Sequence, residues 1–133
     1  MKKISAFLLC NFIGICVFGQ MNIGLNLTEL KASILDEGGI NYAINKTNTL
    51  VNWTTPEKDI KEYDYLNSKG IVYSVSWVML TRDKLLRIKR DMSNLFTQTK
   101  ENEWRGPMGN RNFIIRLLYV KESQHFIFAI NTL

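Results

Sequence analysis

Acidic side chains are concentrated in one short segment of the chain, which contains Asp59, Glu62 and Asp64. Carboxylate oxygens are the ligands that Ca²⁺ prefers in proteins. The segment has no glycine at the centre of a calcium-loop spacing, however, and Lys58 and Lys61 interleave with the acids. The sequence therefore predicts a solvated strand face here, with no bound metal and no other cofactor.

The familiar catalytic constellations lack their parts in this chain. Both cysteines, Cys10 and Cys16, lie near the N-terminus, and His125 is the single histidine. No two carboxylates have a spacing that demands a joint role, and a lone histidine at the start of a strand is more often a packing residue than a catalyst. We therefore expect a protein that is not an enzyme. A small hydrolase ranks last among the alternatives and requires a deep pocket around His125 or Asp64.

One glycine-rich loop is predicted, over residues 105 to 111. It combines two glycines with two arginines, whose guanidinium groups and backbone amides suit an anion, although the pattern is not that of a phosphate-binding loop. We take it as the best loop for contact with a partner. Its candidate contact residues are Arg105, Met108, Asn110 and Arg111.

A second candidate surface is the outer face of a predicted helix that starts at Arg82. Its basic side chains lie opposite an apolar stripe led by Leu85 and Ile88, and Asp83 and Asp91 interrupt them. Such a face suits an anionic membrane or an acidic partner. The basic residues are Arg82, Lys84, Arg87, Lys89 and Arg90, and we take Arg82, Arg87 and Arg90 as the candidate contacts.

The first residues predict export. Two lysines follow Met1, an apolar stretch runs from residue 4 to 18, and Val17 and Gly19 are the small residues expected before a cleavage site. We therefore predict a signal peptide over 1–19 and a mature domain over 20–133. An uncleaved membrane anchor is the alternative, but the apolar stretch is shorter than the roughly 18 residues of a spanning helix.

The composition of the chain indicates how many domains to expect, which partners its charge favours and how the mature domain is stabilised. The whole chain has 133 residues, 46% of them hydrophobic, which predicts one domain with a real core. Removal of the two N-terminal lysines leaves 15 basic and 12 acidic side chains. The resulting net charge of +3 is too small to favour nucleic acid as a partner. Without cysteine, the domain must be stabilised by packing rather than by disulfides.

Periodicity predicts the elements that position these residues. Asn26 and Glu29 have the spacing of a helix-capping pair, and Gly38 with Gly39 closes that helix. Alternating apolar residues then predict two hairpins, the second with a turn at 67–70. The return strand of this hairpin carries Ile71, Tyr73, Val75, Trp77 and Met79 on one face.

A second helix is predicted from 82 to about 99, followed by a short strand over 102–105 and two strands over 112–120 and from 126. The order is α-β-β-β-β-α-β-β-β. It predicts the α+β class, with an antiparallel sheet of six or seven strands and two helices on one face. Strand order and oligomeric state stay open.

Residues 23–31, in which Gly24 precedes the helix start at Asn26 to Glu29, resemble the opening of small exported bacterial modules whose first helix follows a glycine and a capped Thr-x-x-Val/Leu segment. The outer-membrane assembly lipoprotein (SmpA/OmlA) family and the β-lactamase inhibitor protein family begin in this way and continue into antiparallel strands. This chain lacks the lipidated cysteine of the first family and the disulfide-forming cysteines of the second. The resemblance implies a binding or envelope role without catalysis, and it assigns no partner and no functional residue.

These observations predict an exported, non-catalytic protein-binding module of the periplasm or cell exterior. Its partner is expected to be another envelope protein, bound through an exposed sheet face or through the loop at 105–111. The alternative is peripheral binding to a membrane surface through the basic helix face.

Overall fold

The structure, a computed structural model, describes residues 22 to 133. The predicted signal peptide and its cleavage position lie outside the described residues. The elements are α1 (Leu27–Asp36), β1 (Ile40–Ile44), β2 (Leu50–Thr54), β3 (Ile60–Leu66), β4 (Val72–Met79), α2 (Arg82–Leu95), β5 (Thr97–Lys100), β6 (Glu103–Met108), β7 (Arg111–Val120) and β8 (His125–Thr132). The fold is therefore α+β, as the sequence predicts.

All eight strands form one open antiparallel sheet in the order β1-β2-β3-β4-β8-β7-β6-β5. Each half of the chain is a helix followed by a four-stranded meander, and the two meanders meet where β4 pairs with β8. Side chains from both helices and from both meanders join in a single hydrophobic core. Its largest fully buried members are Trp53, Trp77, Trp104, Phe113 and Phe128. Both helices thus cover the same face of the sheet.

The predicted capping of α1 is confirmed. The Asn26 side chain accepts a hydrogen bond from the backbone N–H of Glu29 at 2.9 Å, and the Glu29 carboxylate accepts one from the backbone N–H of Asn26 at 3.0 Å. These two bonds satisfy amide groups that have no partner within the helix. After the helix, Gly38 adopts φ +76, a left-handed conformation that disfavours side chains.

Gly39 is required for a different reason, which is space. A Cβ atom at this position would lie 2.6 Å from Ile34 Cγ2 and 2.6 Å from Trp53 Cε3, both in the core. We expect Gly39→Ala to lower the free energy of unfolding by about 1–3 kcal/mol, as overpacking does. Urea denaturation measures the loss, and Gly39→Val should lose more. A loss that does not grow with side-chain size would contradict the steric explanation.

The sheet has eight strands rather than six or seven because the second helix is shorter than predicted. It ends at Leu95, and Phe96 is already extended at φ −124 and ψ 159. The β-branched Thr97 and Thr99 favour strand over helix, and β5 pairs with β6. The predicted helix, from 82 to about 99, therefore overlaps the first three residues of β5, which is an edge strand.

A β-bulge changes which residues at the start of β4 face the core, compared with the prediction. Tyr65 pairs with Ser74, but Leu66 pairs with Val72, so β4 has one extra residue at this point. Val72 is consequently buried in the core, whereas Tyr73 is 51% exposed. The prediction that Tyr73 shares a face with Trp77 is therefore wrong.

Both edge strands are irregular. The register shifts between Ile40 and Ala43 in β1, where Asn41 has φ +56, and between Gln98 and Lys100 in β5. Irregular edges of this kind discourage pairing with another strand, which makes the face of the sheet that the helices leave uncovered the better binding surface. Within residues 22 to 133, no helix has the length and apolar character needed to span a membrane.

Candidate functional site

The face of the sheet opposite the core carries no helix in the described part of the chain. Strand register places Tyr63, Ser76, Ala129, Arg116 and Glu103 in one row across this face. We call it the helix-free face. Its residues on β3, β4, β8, β7 and β6 include Lys61, Tyr63, Tyr65, Ser74, Ser76, Val78, Glu103, Arg105, Ile114, Arg116, Leu118, Ile127, Ala129 and Asn131.

Three cations converge on one carboxylate of the helix-free face. The Glu103 oxygens lie 3.1 Å from Arg116 Nε, 3.4 Å from Arg105 Nε and 3.7 Å from Lys100 Nζ. The Thr99 hydroxyl donates to Glu103 Oε2 at 2.8 Å. We call Glu103 with these three cations the Glu103 cluster. Only 3% of Glu103 is exposed, whereas the Lys100, Arg105 and Arg116 side chains are 71%, 45% and 52% exposed.

The electrostatics of this cluster hold Glu103 ionised. The hydrogen bonds from Thr99 and Arg116, with the charges of Lys100 and Arg105, lower the pKa of Glu103 to about 2, against the opposing effect of burial. One fixed negative charge thus orders three exposed positive charges. The Glu103 cluster therefore has a surplus of two positive charges on the helix-free face. Arginine guanidinium groups held in this way are suited to bind carboxylates or phosphates.

The predicted loop over 105 to 111 is mostly sheet. Residues 105 to 108 of this segment belong to β6, and β7 starts at Arg111. Gly109 and Asn110 form a two-residue turn between the two strands, in which Gly109 has φ +64. Met108, Asn110 and Arg111 stay together at this turn, where Met108 pairs with Arg111, whereas Arg105 lies apart from them. Arg105 lies in the Glu103 cluster, Met108 packs against the core, Asn110 is in the turn, and the Arg111 guanidinium lies against Gly24.

The basic face of α2 is narrower than predicted. Lys84 is only 7% exposed, because its Nζ lies 2.8 Å from Glu57 and 3.2 Å from Asp59 in the turn between β2 and β3. Lys84 therefore belongs to the interior of the fold rather than to the outer face. Arg82, Arg87, Lys89 and Arg90 are exposed, as is the apolar Leu86 among them.

The prediction of a solvated acidic strand face is wrong. Glu62 and Asp64 are 1% and 0% exposed, beneath α1. Trp77 Nε1 donates to Glu62 Oε1 at 2.7 Å, and Trp53 Nε1 donates to Glu62 Oε2 at 3.1 Å and to Asp64 Oδ2 at 2.9 Å. Asn22 Nδ2 also donates to Glu62 Oε2, at 2.9 Å. These two acids form the paired carboxylates that the sequence analysis did not find.

Burial favours the neutral form of both acids in this pair. Burial raises the pKa of Asp64 far above its ordinary range, and the neighbouring Glu62 charge raises it further. Burial also raises the pKa of Glu62, against hydrogen bonds from Asp64, Asn22 and the two indoles. Asp64, whose pKa is raised both by burial and by the neighbouring charge, is thus the acid of this pair that tends to keep a proton. The sequence held one indication that these acids are buried: the apolar residues Ile60 and Leu66 lie on the same face of β3 as Glu62 and Asp64.

A cavity of about 270 Å³ lies beside Glu62, between the C-terminal end of α1, the β2–β3 turn and α2. His125 does not line it. Within residues 22 to 133, no group of three or more histidine, cysteine, aspartate or glutamate side chains is placed to hold a metal ion.

No family model, curated protein or solved structure matches the chain. The resemblance to the SmpA/OmlA and β-lactamase inhibitor protein families stays a prediction.

Proposed function

We propose that the protein is an exported, non-catalytic binding module whose helix-free face takes an acidic segment of another envelope protein. The observation that carries the proposal is the Glu103 cluster, because it presents ordered cations on a face that no helix of the described chain covers. Export rests on the signal-peptide pattern of residues 1–19.

The surplus positive charge of the Glu103 cluster favours an acidic partner. Arg105 and Arg116 hold their guanidinium groups near Glu103 while about half of each side chain is exposed. An incoming carboxylate can therefore bind without the full entropic cost of ordering these long side chains. Since the cluster keeps two surplus positive charges, an acidic segment is attracted and a basic one is repelled.

The shape of the face supports the same conclusion. In the row that contains Arg116, the two central positions are Ser76 and Ala129, and Tyr63 lies beyond them. Two small side chains between a tyrosine and an arginine leave room for a bound segment. Tyrosine and arginine are also the residue types enriched at the energetic centres of protein interfaces.

The test neutralises the cluster in the protein purified after export. We expect the double variant Arg105→Gln, Arg116→Gln to reduce crosslinked capture of a saturable envelope partner by about tenfold, because each arginine supplies charge-assisted hydrogen bonds. The matched control is Arg82→Gln, Arg90→Gln on α2, which removes the same charge and should leave capture unchanged. The melting temperature of each variant confirms that it is folded.

A second arm measures sedimentation with vesicles of phosphatidylcholine and phosphatidylglycerol. The exposed Leu86 among Arg82, Lys89 and Arg90 is the feature that favours a membrane surface. The proposal would be contradicted, and peripheral membrane binding supported, if the unaltered protein sediments with these vesicles, the α2 variant does not, and no saturable protein partner is captured. Equal loss of capture in both variants would also contradict it, since it would show a general effect of charge.

A further inference from the structure

The cavity beside Glu62 has an apolar wall and a polar floor. Trp77, Ile60 and Ile88 line it, and each of them is almost fully buried. Glu62 lies at its inner end, where Oε1 accepts one hydrogen bond from the described residues, that of Trp77. This carboxylate oxygen can therefore accept a further bond from a donor in the cavity.

The buried carboxyl pair has no positive partner. Neither Glu62 nor Asp64 forms an ion pair with any residue from 22 to 133. Lys84, the lysine that lines the cavity, is already bound to Glu57 and Asp59. A buried carboxylate without a counter-charge is costly, so a compact cation entering the cavity would be stabilised by Glu62 and by the adjacent Trp77 ring.

The outer part of the cavity carries charges of both signs, because Glu37, Glu57, Lys84 and Arg87 all line it. Arg87 lines it, is exposed, and forms no ion pair within the described chain. Its guanidinium group is therefore available for a carboxylate at the outer end of a ligand. The cavity thus offers a buried carboxyl group at its inner end, apolar walls, and an exposed arginine that forms no ion pair with any residue from 22 to 133.

We infer that this cavity is a second binding site, for a small zwitterion that places its ammonium group on Glu62 and its carboxylate on Arg87, with an apolar chain against Trp77 and Ile88. Apolar α-amino acids are the class that fits. The volume of about 270 Å³ is below the roughly 300–1,000 Å³ of sites for drug-sized ligands, which agrees with so small a molecule. The inference is independent of the proposed partner on the helix-free face.

Titration calorimetry on the protein purified after export tests this inference, with the apolar L-amino acids as probes. Three matched probes separate the two charges: L-valine, isobutylamine, which lacks the carboxylate, and isovalerate, which lacks the ammonium. We expect saturable binding of at least one amino acid of the panel, about tenfold weaker binding of the corresponding amine, and no binding of the corresponding acid.

The variant Arg87→Gln should reduce amino-acid affinity to that of the amine and leave amine affinity unchanged. Arg90→Gln, one turn further along α2, is the control and should change neither. Glu62→Gln should abolish binding of both, and the Arg87 comparison decides the question if that buried variant does not fold. Absence of saturable binding across the panel would overturn the inference. So would equal effects of Arg87→Gln and Arg90→Gln, or binding of the acid as tightly as the amino acid.

Discussion

Replacing Trp53 by phenylalanine should lower the free energy of unfolding by about 2–3 kcal/mol, the cost of leaving charged buried acceptors without their donor. The Trp53 indole donates to both Glu62 and Asp64, and among residues 22 to 133 it is the side chain seen to donate to an Asp64 oxygen. Phenylalanine keeps most of the buried ring but has no N–H. Urea denaturation, followed by circular dichroism, measures the change.

The chain offers a closely matched control. Trp104 is as fully buried as Trp53, but its indole donates to the neutral Ser93 hydroxyl at 3.0 Å. The Trp104→Phe variant removes a similar volume and a bond to an uncharged acceptor, so we expect a loss of about 1 kcal/mol. Equal losses in the two variants would show that ring volume alone matters and that the buried carboxyl pair places no special demand on Trp53.

Asp64 should make the protein less stable as the pH rises. The ordinary pKa of Asp is 3.8, and burial raises the pKa of Asp64 well above this value in the folded state. Between these two pKa values the folded protein keeps a proton that the unfolded chain has lost. The free energy of unfolding therefore falls with increasing pH, by up to about 1.4 kcal/mol per pH unit for one proton.

The variant Asp64→Asn tests this linkage. The amide has the shape of a protonated carboxyl group, can donate to Glu62 and does not titrate in this range. We expect a flatter pH dependence between pH 5 and 9 and a variant that is more stable than the natural protein at pH 9. Glu122→Gln, in the exposed turn between β7 and β8, should leave the slope unchanged. An unchanged slope in Asp64→Asn would contradict a raised pKa of Asp64.

Features encoded by neighbouring residues could be read from the sequence. The capping of α1 by Asn26 and Glu29 depends on atoms three residues apart, and the hairpin turn at 67–70 lies within four residues. The alternation in β7 and β8 likewise predicts both strands. Each of these features is decided by local spacing, which is why the α+β class and most elements were predicted correctly.

Features decided by distant partners could not be read in this way. Thr97 to Lys100 form a strand because β6 lies beside them, and Lys84 is buried because the β2–β3 turn brings two carboxylates to it. The Glu103 cluster needs three strands in one register.

The buried acids show the distinction most clearly. Period-two spacing places Glu62 and Asp64 on the face of Ile60 and Leu66, and this much is determined by the sequence of one strand. Whether that face meets water or the core depends on where α1 docks and on the indoles of Trp53 and Trp77, which come from neighbouring strands. The tertiary structure alone determines that Glu62 and Asp64 are buried, because the solvation of a carboxyl group depends on what surrounds it in space.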